Sequence, residues 1–492
     1  MPLPPPTRPF SSFLGDAGRL KRRLCALALG LIAVLARAEL PAPVQQALAA
    51  AHIPPTSVAV VVQAVDAPTP LIEHNAAQAM NPASVMKLLT TYAALDLLGP
   101  AHVWPTTAWS DGPPANGVLA GDLYLKGSGD PRFAIEHLWA LLRQLRVRGI
   151  ERIDGDIVLD SSAFAPLDFD PAAFDNKPMR PYNVGPSALL INFQALRFTL
   201  RPVDGLLRIL QETPSEGLLV DNRLRLVAGP CPSDWKDRIV LRRQPESGGQ
   251  RLEIAGSYAA LCGERALNLA PLPPAEQAGG LIRALWRELG GSLRGTVRGG
   301  RLPSTATPLA RHESAPLAEI VRDINKFSNN VMARQLFLSL GGEPEGDGPP
   351  ASAGRARQRL DEWLARRRLT FPELVVDNGA GLSRRERISA ASLNRLLLDA
   401  WCHPLMPEFI ASLPLTGIDG TMKKRLNGSA PAGRAHIKTG TLDGVKSAAG
   451  YALDASGRTL AVTMLINDPR AGAGAPAIDA LLTWVAEGTS QP

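Results

Sequence analysis

With 492 residues, 45% of them apolar, the chain is long enough for about two to four domains and can bury large cores, which excludes a disordered protein. Its 53 basic and 46 acidic side chains leave a net charge of +7, but the basic residues are scattered, in short runs such as Lys21 to Arg23 and Arg366 to Arg368. A solvated surface accounts for them, and without a basic aromatic platform nucleic-acid binding is excluded.

In chain order, Lys21, Arg22 and Arg23 precede an apolar run from Leu24 to Leu35 and the small-residue stretch Ala36-Arg37-Ala38. This reads as a signal peptide, residues 1–38, cleaved after Ala38, so the mature protein is expected in the periplasm. No later run approaches the roughly eighteen apolar residues of a membrane span, so no transmembrane anchor is expected. Pro43 to Ala51 reads as a helix, Ser57 to Val65 as an apolar strand and Leu71 to His74 as a second strand. Asn81-Pro82-Ala83-Ser84 then opens an apolar helix running to Leu98.

From 101 to 301 the texture changes to short β-patterned runs divided by Gly, Pro and Asp turns, with two convincing helices, Ala134 to Val147 and Ala275 to Leu289. The strands expected here are Gly121 to Lys126, Ile153 to Leu159, Ala195 to Arg201, Leu206 to Leu210, Arg223 to Val227 and Ile239 to Arg243. We read this stretch as one or two β-rich lobes. Long helices follow at Ala315 to Leu340, Ala353 to Arg367 and Ala390 to Trp401. The chain closes with strands at Arg434 to Thr439, Ser447 to Leu453 and Thr459 to Ile466, then a helix from Pro476 to Ala486. Strands from both ends can pair in one sheet, so the simplest architecture is one α/β domain (39–100 and 302–492) interrupted by the insertion 101–301.

Of four cysteines, Cys25 leaves with the signal. Export permits a disulfide, and Cys231 and Cys262 flank one strand-rich stretch, so we expect them to pair, against the alternative of two buried thiols. Cys402 is left over and expected to be buried. Neither Cys-x-x-Cys nor His-Glu-x-x-His occurs and the seven histidines are isolated, so no metal and no cofactor are expected.

Hydrolysing an amide through a serine needs a nucleophile, a base, an oxyanion hole and a group to hold the substrate's charge. No Gly-x-Ser-x-Gly is present. Ser84-Val85-Met86-Lys87 instead puts a hydroxyl and an amine one helical turn apart on one face, where the helix N-terminus favours negative charge. The spacing alone is weak, since Ser233 and Lys236 share it. Ser328-Asn329-Asn330 interrupts a helical segment with three polar residues, which suggests side chains aimed into a site, although Ser392-x-Asn394 fits the same loose pattern. Lys438-Thr439-Gly440-Thr441 occurs once, where a strand ends. An edge strand with Lys438 and Thr439 can hold a carboxylate, Gly440 admits the substrate backbone, and the Thr441 N–H can supply half an oxyanion hole.

Ser-x-x-Lys followed by Lys-Thr-Gly is the motif set of β-lactamases and penicillin-binding proteins. The gap of roughly 240 residues between Lys87 and Ser328, with the phrases NPASVMKLLTTYAALDLLG, LKGSGDPRF, PYNVGPSALLINFQ, INKFSNNVMARQL, DNGAGLSRRERIS, LPLTGIDGTMKKRL and HIKTGTLDGVKSAAGY, resembles one family closely. These are the D-alanyl-D-alanine carboxypeptidase/endopeptidases of the penicillin-binding protein 4 type, the class C low-molecular-mass penicillin-binding proteins, and the resemblance runs over nearly the whole mature chain. It implies a discontinuous α/β fold like that of serine β-lactamases, with the insertion forming two lobes, and peptidoglycan peptides as substrates with β-lactam antibiotics as covalent inhibitors. It implies Ser84 as nucleophile, Lys87 as its base, Ser328 as proton relay, and Asn330 and Lys438 as groups that position substrate and tune charge. The Ser84 and Thr441 N–H groups would form the oxyanion hole. An arginine and an acid that grip the free end of diaminopimelate map to Arg384 and Asp175. The chain has Asn-Gly-Ala-Gly where relatives often have Gly-Ser-Gly, a departure that touches no catalytic position. The rival readings are a β-lactamase, disfavoured by the large insertion and the absence of Tyr-x-Asn, and a catalytically silent penicillin-fold protein, disfavoured because every expected reactive group is present.

Overall fold

The computed structural model describes residues 39–342 and 348–488, so the expected signal peptide lies outside the described residues. Among the described residues no helix is long and apolar enough to cross a membrane.

The run VAVVVQA becomes strand β1, Val58–Ala64, buried at every position. β-Branched valines suit an extended chain covered on both faces, and successive side chains point to opposite sides. Ala59 and Val61 therefore enter one apolar cluster, and Val58, Val60 and Val62 another. On one flank β1 pairs antiparallel with β2 (Ile72–His74). On the other lies the last of three strands from the carboxyl end, β3 (Ala435–Leu442), β4 (Val445–Leu453) and β5 (Thr459–Asn467), in the order β3-β4-β5-β1-β2. The β1 register runs from Val58 opposite Ile466 to Ala64 opposite Leu460. The two ends of the chain thus meet in one sheet, and β3, which carries Lys438 to Thr441, is its edge.

Helices cover both faces. On one side pack α1 (Ala42–Ala50) and the last helix, Ala475–Glu487; on the other pack α2 (Lys87–Leu98), α3 (Leu317–Phe327), α4 (Asn330–Ser339), α5 (Ala353–Arg366) and α6 (Ala390–Trp401). The expected single helix from Ala315 to Leu340 is in fact two. Ser328 adopts the left-handed conformation (φ 55, ψ 39) and ends α3, and the Asn329 side chain caps α4 by accepting from the Met332 N–H at 3.1 Å. The polar triplet stops and restarts the helix instead of riding along its surface. Cys402, expected to be buried, is exposed: it follows the last residue of α6, two positions beyond buried Ala400 and turned to the opposite side.

The insertion forms two separate apolar cores. One lies between helices Ile135–Val147 and Pro274–Glu288 and a sheet containing Pro105–Ser110, Leu123–Gly127 and Ile157–Asp160. The expected strand Ile153 to Leu159 is split there by a turn into Arg152–Ile153 and Ile157–Asp160. The strand Thr307–Glu313 pairs antiparallel with Pro105–Ser110 in that sheet. The other core lies between two three-stranded sheets, one of Leu196–Val203, Leu206–Gln211 and Arg265–Leu269, the other of Leu218–Val227, Ile239–Glu246 and Gly249–Ala259. Cys231 and Cys262 are joined in a disulfide at its end, with Cα atoms 4.5 Å apart.

Candidate active site

The chain reaches Ser84 through a tight turn that several groups hold. Asn81 Oδ1 accepts the Ala83 N–H at 2.9 Å, Asn81 Nδ2 donates to the Ser383 carbonyl at 2.8 Å, and Ser447 Oγ donates to the Pro82 carbonyl at 2.6 Å. Ala83 is left with φ 47, a conformation an alanine takes only when its surroundings fix it. Residues Ala83–Met86 form a single 3₁₀ turn, and α2 starts at Lys87. Ser84 is half-buried, and Lys87, pointing back along the turn, is fully buried.

The Lys87 ammonium uses all three of its protons. It donates to Ser84 Oγ at 2.9 Å, to Asn330 Oδ1 at 2.6 Å and to the Ala380 carbonyl. Burial is the largest cause holding its pKa well below the usual lysine range; the charge of Lys438 pushes the same way, Glu386 opposes, and Arg334 adds to the lowering. Lys438 is also fully buried, and burial brings its pKa down to about 7. Its ammonium donates to Ser328 Oγ at 2.9 Å and to the Thr439 carbonyl at 2.7 Å. The break between α3 and α4 explains that contact, because the left-handed turn brings the Ser328 hydroxyl over the sheet edge while α4 starts at Asn330. Three distant segments thus deliver Ser84, Lys87, Ser328, Asn330 and Lys438 to one place.

Gly440 sits where β3 crosses the Ser84 turn. A Cβ there would stand 2.7 Å from the Pro82 carbonyl and 2.9 Å from the Ser84 N–H, so a side chain would drive the edge strand away from the nucleophile. The Thr439 hydroxyl lies 2.9 Å from that of Thr421, and Thr441 is exposed on the same edge.

Arg384 packs against the segment that carries Asp175, which borders the cleft through Tyr182 and forms its rim. The Arg384 guanidinium stacks over Phe174, 5.0 Å from the ring centroid, and donates to the Asp443 carbonyl at 2.6 Å. Asp175, next along the chain, accepts from Tyr182 Oη at 2.7 Å and from Asn183 Nδ2 at 2.7 Å. The Tyr182 phenol is pushed up to about 12 by its burial and then by Asp175. Beyond Ser328 and Asn330 a cleft of about 780 Å³ opens between the peptidase core and the second lobe, lined by Phe327, Tyr182, Arg180, Lys177 and Trp235.

Of the look-alike motifs, Ser233 and Lys236 line this cleft from the second lobe without contacting Ser84 or Lys87, and Asn394 lies outside it. Ser233 and Lys236 are exposed on a turn of the second lobe, and Asn394 is buried in α6, donating to Gln63 Oε1 at 2.9 Å. Three participants were not singled out from sequence: Thr421, the Ala380 carbonyl and buried Glu386. The phrases LPLTGIDGTMKKRL and DNGAGLSRRERIS contain them, but nothing in residue type separates a charged residue such as Glu386 from its exposed neighbour Arg385.

The D-Ala-D-Ala carboxypeptidase 3 (S13) family matches residues 40–487. Among curated proteins, the chain is 29% identical over 434 residues to the D-alanyl-D-alanine carboxypeptidase of Actinomadura sp. (strain R39), spanning 85% of this chain and 79% of that one. It is 25% identical to D-alanyl-D-alanine carboxypeptidase DacB of Haemophilus influenzae, spanning 81% and 82%. Among solved structures, penicillin binding protein 4 (dacB) from Haemophilus influenzae superposes with a TM-score of 0.74 at 24% identity, covering 89% of this chain and 98% of that one, which shows the same fold. That protein has also been solved complexed with a novel β-lactam, a structure that matches with a TM-score of 0.69. With the fold, the order of the motifs and the match to residues 40–487 in agreement, the chain belongs to the D-Ala-D-Ala carboxypeptidase 3 (S13) family and is a peptidase of bacterial cell-wall peptides.

Proposed function

We propose that the protein is an exported serine-type D,D-peptidase that cuts D-alanyl bonds of peptidoglycan as a carboxypeptidase and an endopeptidase through an acyl-enzyme. The observation that carries this reading is the 2.9 Å contact between Ser84 Oγ and a buried Lys87 amine whose proton affinity is lowered. In its neutral form Lys87 takes the proton of Ser84 as Oγ attacks the D-alanyl carbonyl carbon. The Ser84 and Thr441 N–H groups receive the oxyanion, in keeping with the close packing of Gly440 on the Ser84 N–H. The C–N bond then breaks, and a proton passed through Ser328, held by Lys438, goes to the departing amine. Water hydrolyses the ester to regenerate Ser84.

Asn330 orients Lys87, Lys438 and Thr439 hold the substrate carboxylate, and Arg384 with Asp175 receives the charged free end of diaminopimelate. The open cleft beyond Ser328 leaves room for a second peptide strand, which favours endopeptidase action beside the release of terminal D-alanine. The expected signal peptide favours a periplasmic protein. β-Lactams enter the same site and acylate Ser84.

Mass spectrometry after incubation with benzylpenicillin tests this. One adduct per chain on the Ser84 peptide, absent from Ser84→Ala, is expected. Drug turnover without an adduct would make the protein a β-lactamase, and neither outcome would leave it a silent binding protein. Release of monomers from cross-linked muropeptide dimers tests the endopeptidase arm.

A further inference from the structure

We propose that Glu386 is a positioning residue of this site: its carboxylate holds the 377–381 turn against Lys87 and supplies the buried counter-charge that limits how readily Lys87 gives up its proton. Glu386 is fully buried. Its Oε1 accepts the N–H groups of Asp377 at 3.3 Å, Asn378 at 3.0 Å and Gly379 at 3.0 Å. With its amides turned to Glu386, the same turn presents its carbonyls to α2: Gly379 accepts from Thr90 Oγ1 at 2.7 Å, and Ala380 accepts from the Lys87 ammonium. Glu386 therefore fixes one of the three acceptors of Lys87 from behind.

Charge enters through the same contact. Among the described residues Glu386 Oε2 has no hydrogen-bond partner, so a proton placed there would be a buried donor without an acceptor. Burial raises the Glu386 pKa above the usual carboxylate value, against the pull of its three amide bonds. The ionised form suits the geometry, with Oε1 accepting three N–H groups. Around Lys87 the charged groups are Lys438 from β3, Arg334 from α4 and Glu386 from the turn; Asp377, at the start of the turn, is paired with Arg385. Two cations and burial favour a neutral amine, and Glu386 opposes them. Without that opposition, Lys87 would be neutral at lower pH.

The inference rests on Lys87 being the base, and the test separates the two. Rates of acylation by benzylpenicillin are measured over a pH series for the wild type, Glu386→Gln and Thr90→Val. Glutamine keeps an oxygen for the amides and loses the charge, so the acid limb should move to lower pH by about half a unit or more, with the plateau within about tenfold of wild type. Thr90→Val loosens the same turn at the Gly379 carbonyl without altering charge, and should lower the plateau while leaving the limb in place. An unmoved limb in folded Glu386→Gln, or an equal shift in Thr90→Val, overturns the inference. Should the glutamine variant fail to fold by near-ultraviolet circular dichroism, Glu386→Asp replaces it: the withdrawn carboxylate should give a smaller shift of the same sign, and no shift is again the overturning result. A wild-type protein that takes no adduct on Ser84 would refute the base assignment before any pH series, and this inference with it.

Discussion

At the floor of the cleft Lys87 and Lys438 are fully buried and hydrogen-bonded, whereas at the rim Arg384 is exposed and stacked on Phe174 of the inserted segment. The floor joins α2, the α3–α4 break and the β3 edge through packed cores; the rim joins a peptidase loop to the insertion through the stack of Arg384 on Phe174. A charge taken out of water has its proton affinity reset, while a charge left in water keeps it but interacts weakly and is screened by salt. Changes at the floor should therefore act on the chemical step, and changes at the rim on substrate affinity.

Ser84→Ala should have the largest effect, removing the penicillin adduct and lowering D-alanine release by about four orders of magnitude or more, with the fold retained. Lys438→Met comes next. Acylation should fall by about two to three orders of magnitude because Ser328 loses its donor, yet the variant should melt at a higher temperature than the wild type. The sign follows from burial: Lys438 has a pKa of about 7 in the folded chain against 10.5 ordinarily, so between those values the unfolded state binds more protons. Wild-type stability should rise with pH across that window as the cost of the buried ammonium is relieved. The melting advantage of Lys438→Met is thus largest below about pH 7 and shrinks as the pH rises toward the ordinary lysine range. A methionine variant that melts lower than wild type at every pH would mean that Lys438 stabilises the site and that floor and rim do not differ in this way.

The floor was also the more legible part of the sequence. Ser84 with Lys87 and Lys438 with Gly440 show their chemistry in residue type and spacing, and α6 shows its limits through Ser389, whose side chain caps it by accepting from the Ser392 N–H. Pairing of the two chain ends followed from strands whose only shared feature is continuous apolar burial, as in β1 and β5. The break at Ser328 was hidden because one left-handed residue barely disturbs the apolar rhythm of α3 and α4. Glu386 was hidden because its burial is created by a turn of backbone amides, and a pattern of side chains does not encode amide directions. The strand Thr307–Glu313 was hidden for a similar reason: its partner, Pro105–Ser110, lies about 200 residues away in the chain, and no local pattern names it.

At the rim, Arg384→Ala should raise KM by about tenfold for peptides with a free diaminopimelate end and change kcat by no more than about threefold. Added salt should narrow the gap between variant and wild type, because the guanidinium is exposed. A loss confined to kcat would instead place Arg384 with the floor.

The smallest effect on the chemical step is expected from the paired change Cys231→Ser with Cys262→Ser. The bond joins cysteines with a sequence separation of 31 in the second lobe, and its loss should destabilise that lobe by about 2–4 kcal/mol. The lobe's own apolar core does not include residues of the Ser84 cluster, so benzylpenicillin acylation should stay within about twofold of wild type. Cross-linked peptides should suffer more than the small drug, because Trp235, from the same lobe, lines the cleft that runs up to Ser328 and Asn330. Equal losses for both would mean that the lobe steadies the floor itself, through Tyr182 and Val184, whose carbonyls accept from Arg334 of α4.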